Sequence, residues 1–341
     1  MMNSRERVWA SIRHQQPDRV PYYFSFTQAA AGKLAAYYGT ADLDVFLDND
    51  MARYSVRRPA LFEEVRPGFL RDEFGVLWNR TVDKDIGVPE EYPLQRRSLS
   101  DYTFPDPLDP RRYAELPAFL EKHSQRFRYV SYGFTLFERA WTLRGMPELL
   151  VDMLEAPEWV DELFDRLMAF NLGVVQELLK YDVDGFLFSD DWGHQQGLLF
   201  SPRLWHRFIK PRLARLFSTI KQAGKAAFVH SCGKVQTLFP DLIEIGLDVF
   251  NPFQPDVMDV YEMKRQFGDR LAFYGGMSVQ NTLPHGTVQE IRAEARRLMD
   301  EIGRGGGFII APSHHMPGDI AVENMVAFIE AVRGDGRLVA W

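Results

Sequence analysis

Residues 201–233 read SPRLWHRFIKPRLARLFSTIKQAGKAAFVHSCG. The stretch opens as a helix start, with Ser201 as N-cap and Pro202 at the first helical position, where a missing N–H does no harm. Leu204, Trp205, Phe208 and Ile209 fall on one face, Pro211 predicts a kink or split, and Leu213, Leu216, Phe217 and Ile220 resume the stripe until Gly224 ends it. Next comes a short run, 226–230, apolar up to its last residue and too short for another helix. A helix that feeds a strand apolar on both faces points to a parallel sheet covered by helices.

The same alternation extends in both directions. Apolar runs at 129–134, 185–189, 248–251, 271–274 and 308–311 are separated by helical segments. One of these has capping-box spacing at Thr287 and Glu290, with Ile291, Ala295, Leu298 and Ile302 on one face up to Gly303. A last helix carries Met325, Phe328, Ile329 and Val332. Near the start, 20–26 (VPYYFSF) reads as a strand behind a Pro-Asp turn. From about 27 to 126 the chain is irregular and proline-rich, with 73–81 (EFGVLWNRT) as a hairpin piece and 92–112 as turn and loop. Seven strands are thus placed, and an eighth within the irregular stretch would complete an α/β fold, a (β/α)8 TIM barrel with an N-terminal elaboration. The expected organisation is one barrel domain over 1–341 with an insertion at about 27–126. An open doubly wound sheet is the weaker alternative: no G-x-G-x-x-G follows a strand, and Gly305-Gly306-Gly307 precedes one.

Composition narrows the function. The chain has 341 residues, 46% hydrophobic and 26% charged, which excludes disorder. Forty basic against 47 acidic side chains leave a net charge of -7, so no nucleic-acid partner is expected. Residues 1–7 lack the apolar core of a secretory signal, and no run of about 18 apolar residues predicts a membrane span. A cytoplasmic, soluble protein is expected, and a homodimer is compatible with it. The one cysteine, Cys232, excludes an internal disulfide and a four-cysteine zinc module.

Barrel chemistry sits where strands finish. The strand ends here read Ser189-Asp190-Asp191-Trp192, His230-Ser231-Cys232-Gly233, Asn251-Pro252-Phe253-Gln254, Gly275-Gly276-Met277-Ser278-Val279-Gln280 and Pro312-Ser313-His314-His315. His230 and Cys232, two apart, point the same way, and both are good zinc ligands. A third ligand is needed, for which His314 is the natural candidate and His315 the alternative. Taken alone, Cys232 would more often be a small buried hydrophobe. Asp190, Asp191 and Glu138 are candidate acid–base groups, although the aspartates could cap a helix and Glu138 could simply pair with Arg139. Gln254 and Gln280 are candidate substrate contacts, and Trp192, Phe253 and Tyr274 a candidate apolar wall, if they are not ordinary core. His194 and His206 read as structural.

The opening Arg5-Glu6-Arg7 through Pro17-Asp18-Arg19-Val20-Pro21, the run Phe137-Glu138-Arg139-Ala140-Trp141-Thr142-Leu143-Arg144-Gly145, the HSCG at 230–233 and the closing Pro312-Ser313-His314 with Glu323-Asn324 resemble the uroporphyrinogen decarboxylase superfamily. That resemblance also implies a (β/α)8 barrel. Porphyrinogen decarboxylases of the superfamily carry an arginine-rich motif after the first strand. Here the place reads Phe26-Thr27-Gln28-Ala29-Ala30-Ala31-Gly32, which disfavours a substrate with many carboxylates. The other branch, corrinoid-dependent methyltransferases similar to the methylcobalamin:coenzyme M enzymes, binds zinc through H-x-C and a later cysteine. His314 stands where that cysteine would be, which puts coenzyme M in doubt and suits methoxy compounds. The resemblance therefore implies Zn2+ at His230, Cys232 and His314, a corrinoid (cobalamin) on a partner protein, and a small-molecule methyl donor or acceptor. The rivals are a metal-independent decarboxylase of a non-porphyrin carboxylate, a zinc hydrolase, and a barrel that binds without catalysis.

Overall fold

The computed structural model describes residues 2–40 and 42–334. Six of the apolar runs are strands of one sheet: Phe127–Tyr132, Gly185–Ser189, Ala226–His230, Val249–Phe253, Ala272–Met277 and Phe308–Pro312. The seventh strand, Met51–Ser55, lies in the region read as irregular and pairs with Phe127–Tyr132 at one edge. The strands follow chain order across the sheet, and every neighbouring pair is parallel. Met51–Ser55 (MARYS) has no continuous apolar signature because Arg53 interrupts it.

The segment read as the first strand, 20–26, forms no regular ladder. It lies between the two sheet edges. On one side Tyr22 bridges Ile310 in parallel, with Tyr23 N–H donating to the Ile310 carbonyl at 3.1 Å. On the other, Asp50 N–H donates to the Tyr22 carbonyl at 3.1 Å. The next contact on that side runs through a side chain: the Asn49 amide donates to the Phe24 carbonyl at 3.1 Å and accepts from Phe24 N–H at 2.8 Å. Pro21 has no N–H to give, and Asn49 replaces a backbone pair, so continuous pairing does not develop.

Strand alternation sorts the side chains into two cores. Ala226 and Phe228 join Phe127, Val249, Ala272 and Ile309 in an interior cluster, while Ala227 and Val229 pack outward against the helices. The helix Ser4–Ile12, started by a capping box between Asn3 and Glu6, adds Val8 and Ile12 to the interior set, and Trp9 meets Phe127 edge-on at 5.3 Å. Each fully buried Phe or Leu of these cores contributes about 1.5–3 kcal/mol. His230 is the next inward position after Phe228.

The helix before this strand is split as Pro211 predicts, into Pro202–Phe208 and Lys210–Gln222, with Ser201 capping the first piece. The Thr287–Glu290 capping box starts Val288–Arg297, and the last helix is Val322–Arg333. The hairpin piece at 73–81 supplies one strand, Leu77–Asn79, to a four-stranded antiparallel sheet with Glu63–Arg66, Phe69–Arg71 and Val88–Glu91. A buried carboxylate ties this small sheet to the larger one. Asp72 accepts from Phe74 N–H, Val76 N–H and Trp78 Nε1, each at 3.0 Å, and from Arg139 Nη1 at 2.7 Å on the helix Phe137–Arg144. Among the described residues no helix is long and apolar enough to cross a membrane.

Candidate metal centre

His230 ends its strand facing inward, and its ring is held from behind. Its Nδ1 lies 2.6 Å from Asn251 Oδ1, while Asn251 Nδ2 donates to the Tyr274 carbonyl at 3.0 Å. Because that amide nitrogen is committed, its oxygen must face His230. An amide oxygen only accepts, so Nδ1 carries the proton and Nε2 offers a lone pair. Cys232 Sγ sits 3.3 Å from that Nε2. A tetrahedral zinc ion separates its nitrogen and sulfur ligands by roughly 3.5 Å, close to this spacing. His314 completes the group: the ligand atoms of His230, Cys232 and His314 all lie within 4.8 Å of one another.

Local backbone makes the convergence feasible. Gly233 adopts φ +88°, and a Cβ there would sit 2.5 Å from Gly193 carbon. Only glycine lets the loop after Ser189 press against the HSCG turn. That contact places Asp191 so that Oδ1 accepts Cys232 N–H at 2.7 Å and lies 3.8 Å from His230 Nε2.

Protonation follows from burial and neighbours. Burial, with His230 beside it, pushes the His314 imidazole down to about 4, so it is neutral at pH 7. Burial, with Asp191 and Glu138 nearby, pushes the Cys232 thiol well above its usual range. A bound cation would reverse that preference. Burial, then Asp191 and Asp190, drives the Glu138 carboxyl well above the ordinary glutamate value, and Glu138 accepts from Ser189 Oγ at 2.8 Å.

The two aspartates part ways. Asp191 lines the cavity, whereas Asp190 turns into the protein, where Oδ1 accepts from Leu136 N–H at 3.1 Å and Glu138 N–H at 2.8 Å. Its other oxygen takes Trp192 Nε1 at 2.7 Å, so both Asp190 and Trp192 brace the turn that carries Glu138. Of the adjacent histidines, His314 joins the cluster, and His315 Nε2 lies 3.4 Å from Arg53 Nη1. Phe253 stacks on Phe273 at 4.1 Å in the outer core, away from the cavity. Gln254 is buried beneath the HSCG turn, its Oε1 accepting Gly233 N–H at 3.3 Å, and Gln280 is exposed away from the cavity lining. Tyr274 lines a small inner lobe with Tyr23 and Tyr129.

His230 and His314 line a cavity of about 770 Å³. Its lining also holds residues that the sequence reading passed over, above all Arg53, Ser55 and Arg57. Their alternate spacing was the available signal, hidden because the strand carrying them was not recognised.

The family model for uroporphyrinogen decarboxylase (URO-D) matches residues 133–334, more than half of the chain. The chain belongs to the URO-D family. Among curated relatives of this URO-D protein is the methylcobamide:CoM methyltransferase MtaA of Methanosarcina barkeri, 27% identical over 133 residues, 39% of this chain and 37% of that enzyme. A uroporphyrinogen decarboxylase of Mannheimia succiniciproducens is 21% identical over 348 residues, 95% of this chain and 91% of the other. Among solved structures, a methyltransferase from Methanosarcina mazei superposes with a TM-score of 0.74 at 16% identity, covering 98% of this chain and 99% of its own. That last likeness speaks to fold alone. Both kinds of enzyme anticipated from the sequence, methyltransferase and decarboxylase, are thus among the relatives.

Proposed function

We propose that this protein is a zinc-dependent methyltransferase that moves a methyl group between a small molecule, a methoxy compound or a thiol, and a corrinoid carried on a separate protein. We read its sheet as a single (β/α)8 barrel closed by segment 20–26, a reading supported by that segment's hydrogen bonds to Ile310 and Asp50. The observation that carries the functional reading is the convergence of His230, Cys232 and His314 at the edge of the large cavity. The donor set suits zinc, since three protein ligands with a fourth position facing a cavity are the pattern of a catalytic ion. When bound, zinc would polarise the oxygen or sulfur that carries or receives the methyl group.

The chain's own residues supply the rest. Asn251 fixes the His230 ring, and Asp191 holds the Cys232 backbone. Glu138, whose burial beside Asp191 and Asp190 favours its protonated form, can pass a proton to an oxygen that departs without its methyl group. The corrinoid protein would approach over the cavity mouth, and the M. barkeri relative, named for methylcobamide, supports such a partner. The direct test is metal content of protein purified without chelator, together with methyl transfer to a Co(I) corrinoid protein followed by its absorption. One zinc per chain and transfer that vanishes on stripping are expected. The second reading, a metal-independent decarboxylase, draws on the long alignment with the M. succiniciproducens enzyme. Carbon dioxide release from a carboxylate by fully stripped protein would favour it.

A further inference from the structure

Most enclosed arginines in this molecule are paired with carboxylates, but among the described residues three that line the large cavity have no such pair: Arg53, Arg57 and Arg80, whose Nε donates to the Ile86 carbonyl at 3.1 Å. Arg7 meets Asp50 at 2.6 Å, Arg128 meets Asp182, Arg139 meets Asp72 and Arg144 meets Asp152, each at 2.7 Å, and Arg112 meets Glu73. Arg53 and Arg57 have no carboxylate within 4.0 Å among the described residues, although both face the 770 Å³ cavity. Arg57 is enclosed by rings instead, its guanidinium carbon 4.5 Å from the Phe134 ring and 5.3 Å from Trp78, and its Nη2 is buried without a partner. Arg53 faces His315 Nε2 at 3.4 Å and the hydroxyl-bearing rings of Tyr23, Tyr129 and Tyr274. An enclosed guanidinium without a counter-ion, as at Arg57, is costly, so a protein keeps one, with the more exposed Arg53 lining the same cavity, where a ligand supplies the charge.

The carboxylates sharing this cavity do not fill that role. Asp83 binds the N–H groups of Asp85, Ile86 and Gly87 in its own loop, Asp85 accepts from Gln28 N–H, and Glu64 accepts from Gly68 N–H at 3.2 Å. Glu138 and Asp191 stand with the metal donors. Arg53 and Ser55 alternate on the strand Met51–Ser55, Arg57 follows in the bend after it, and all three line the cavity. Around them Phe26, Phe62 and Phe134 supply apolar surface.

We propose that the small-molecule substrate is an organic carboxylate with an apolar body, its carboxylate held by Arg53 and Arg57 and its methyl-bearing atom directed to the donors at His230, Cys232 and His314. This rests on the methyl-transfer reading for what happens at the second end, but not for the binding of the first. Arg–carboxylate pairing is charge-assisted and geometrically demanding, which gives both affinity and orientation.

Calorimetric titration of the full chain with 4-methoxybenzoate, benzoate and acetate, against neutral methoxybenzene and methyl 4-methoxybenzoate, tests it. At least one carboxylate is expected to bind about tenfold or more tightly than either neutral compound, the scale of a charged hydrogen bond. Arg53→Gln and Arg57→Gln should each remove about tenfold of that preference, with Arg→Lys variants intermediate. Equal binding of acids and neutral compounds by wild-type protein overturns the proposal without any variant having to fold. So does an unchanged preference in both folded Gln variants. Carboxylate preference without methyl transfer to a Co(I) corrinoid protein would leave this inference standing and sink the functional reading instead.

Discussion

Two sets of polar side chains lining the cavity are held in opposite ways. Around the candidate metal donors, two of the three are braced, His230 by Asn251 and through it the Tyr274 carbonyl and Cys232 by Asp191, and the neighbouring Glu138 turn is held by Asp190. In the other set Arg53 and Arg57 stand among rings and hydroxyls without a carboxylate partner. A braced donor set is ready for a small ion that demands fixed geometry, whereas unpaired cations are stabilised only when a counter-charge arrives. On the proposed reading the two sets have separate tasks, and substitutions in one should leave the other intact.

Cys232→Ser should have the largest effect. Loss of the one thiolate should empty the metal site and cut methyl transfer by about a thousandfold or more, the order of several kcal/mol of charge stabilisation. The fold should persist by circular dichroism, and carboxylate binding should remain. Zinc retained at wild-type stoichiometry would show that the sulfur is not a ligand. Glu138→Gln comes next, with the rate of demethylating a methoxy compound expected to fall about a hundredfold as general acid catalysis is removed. Methylation of a thiol has no oxygen to protonate and should be spared, so equal losses for both substrates would deny Glu138 that role. Asn251→Ala should weaken zinc binding by about ten- to hundredfold in competition with a chelating dye, by freeing the His230 ring. Unaltered affinity would mean that the ring is held by its strand alone.

How much of this was legible in the sequence follows the same division. The strands from Gly185–Ser189 onward announce themselves because both their faces are buried, and His230, Cys232 and His314 stand at their ends. The strand Met51–Ser55 does not, because its inward face carries Arg53 toward the cavity and Ser55 after it, so function erased the apolar pattern. Trp192, Phe253 and Gln254 looked like cavity residues because they follow strand ends in sequence. Phe253 is the last residue of its own strand and packs in the outer core, while Trp192 and Gln254 pack beneath the loops that follow theirs. Asp190 and Asp191 could not be separated until the partners of each were visible, since neighbouring residues diverge and sequence does not say which way the first one points.

Asp190 offers the smallest effect on chemistry and the clearest on stability. Its carboxylate accepts three N–H groups with two oxygens, and the amide in Asp190→Asn would turn a donor toward one of them, either Trp192 Nε1 or the 136–138 backbone. One buried donor left without an acceptor costs about 1–3 kcal/mol, measurable by urea unfolding near pH 7. The penalty should vary with pH in a defined direction. Burial raises Asp190 to about 6, above its value in the unfolded chain, so between about 4 and 6 the native state holds a proton that the unfolded state has lost. Wild-type stability from this group therefore falls as pH rises through that window, while asparagine does not titrate. The gap between wild type and variant should accordingly be widest near pH 4 and narrow toward pH 6, with zinc content at pH 7 the same in both proteins. A gap that widens instead as pH rises would show that the three N–H groups outweigh burial and hold Asp190 below its ordinary value.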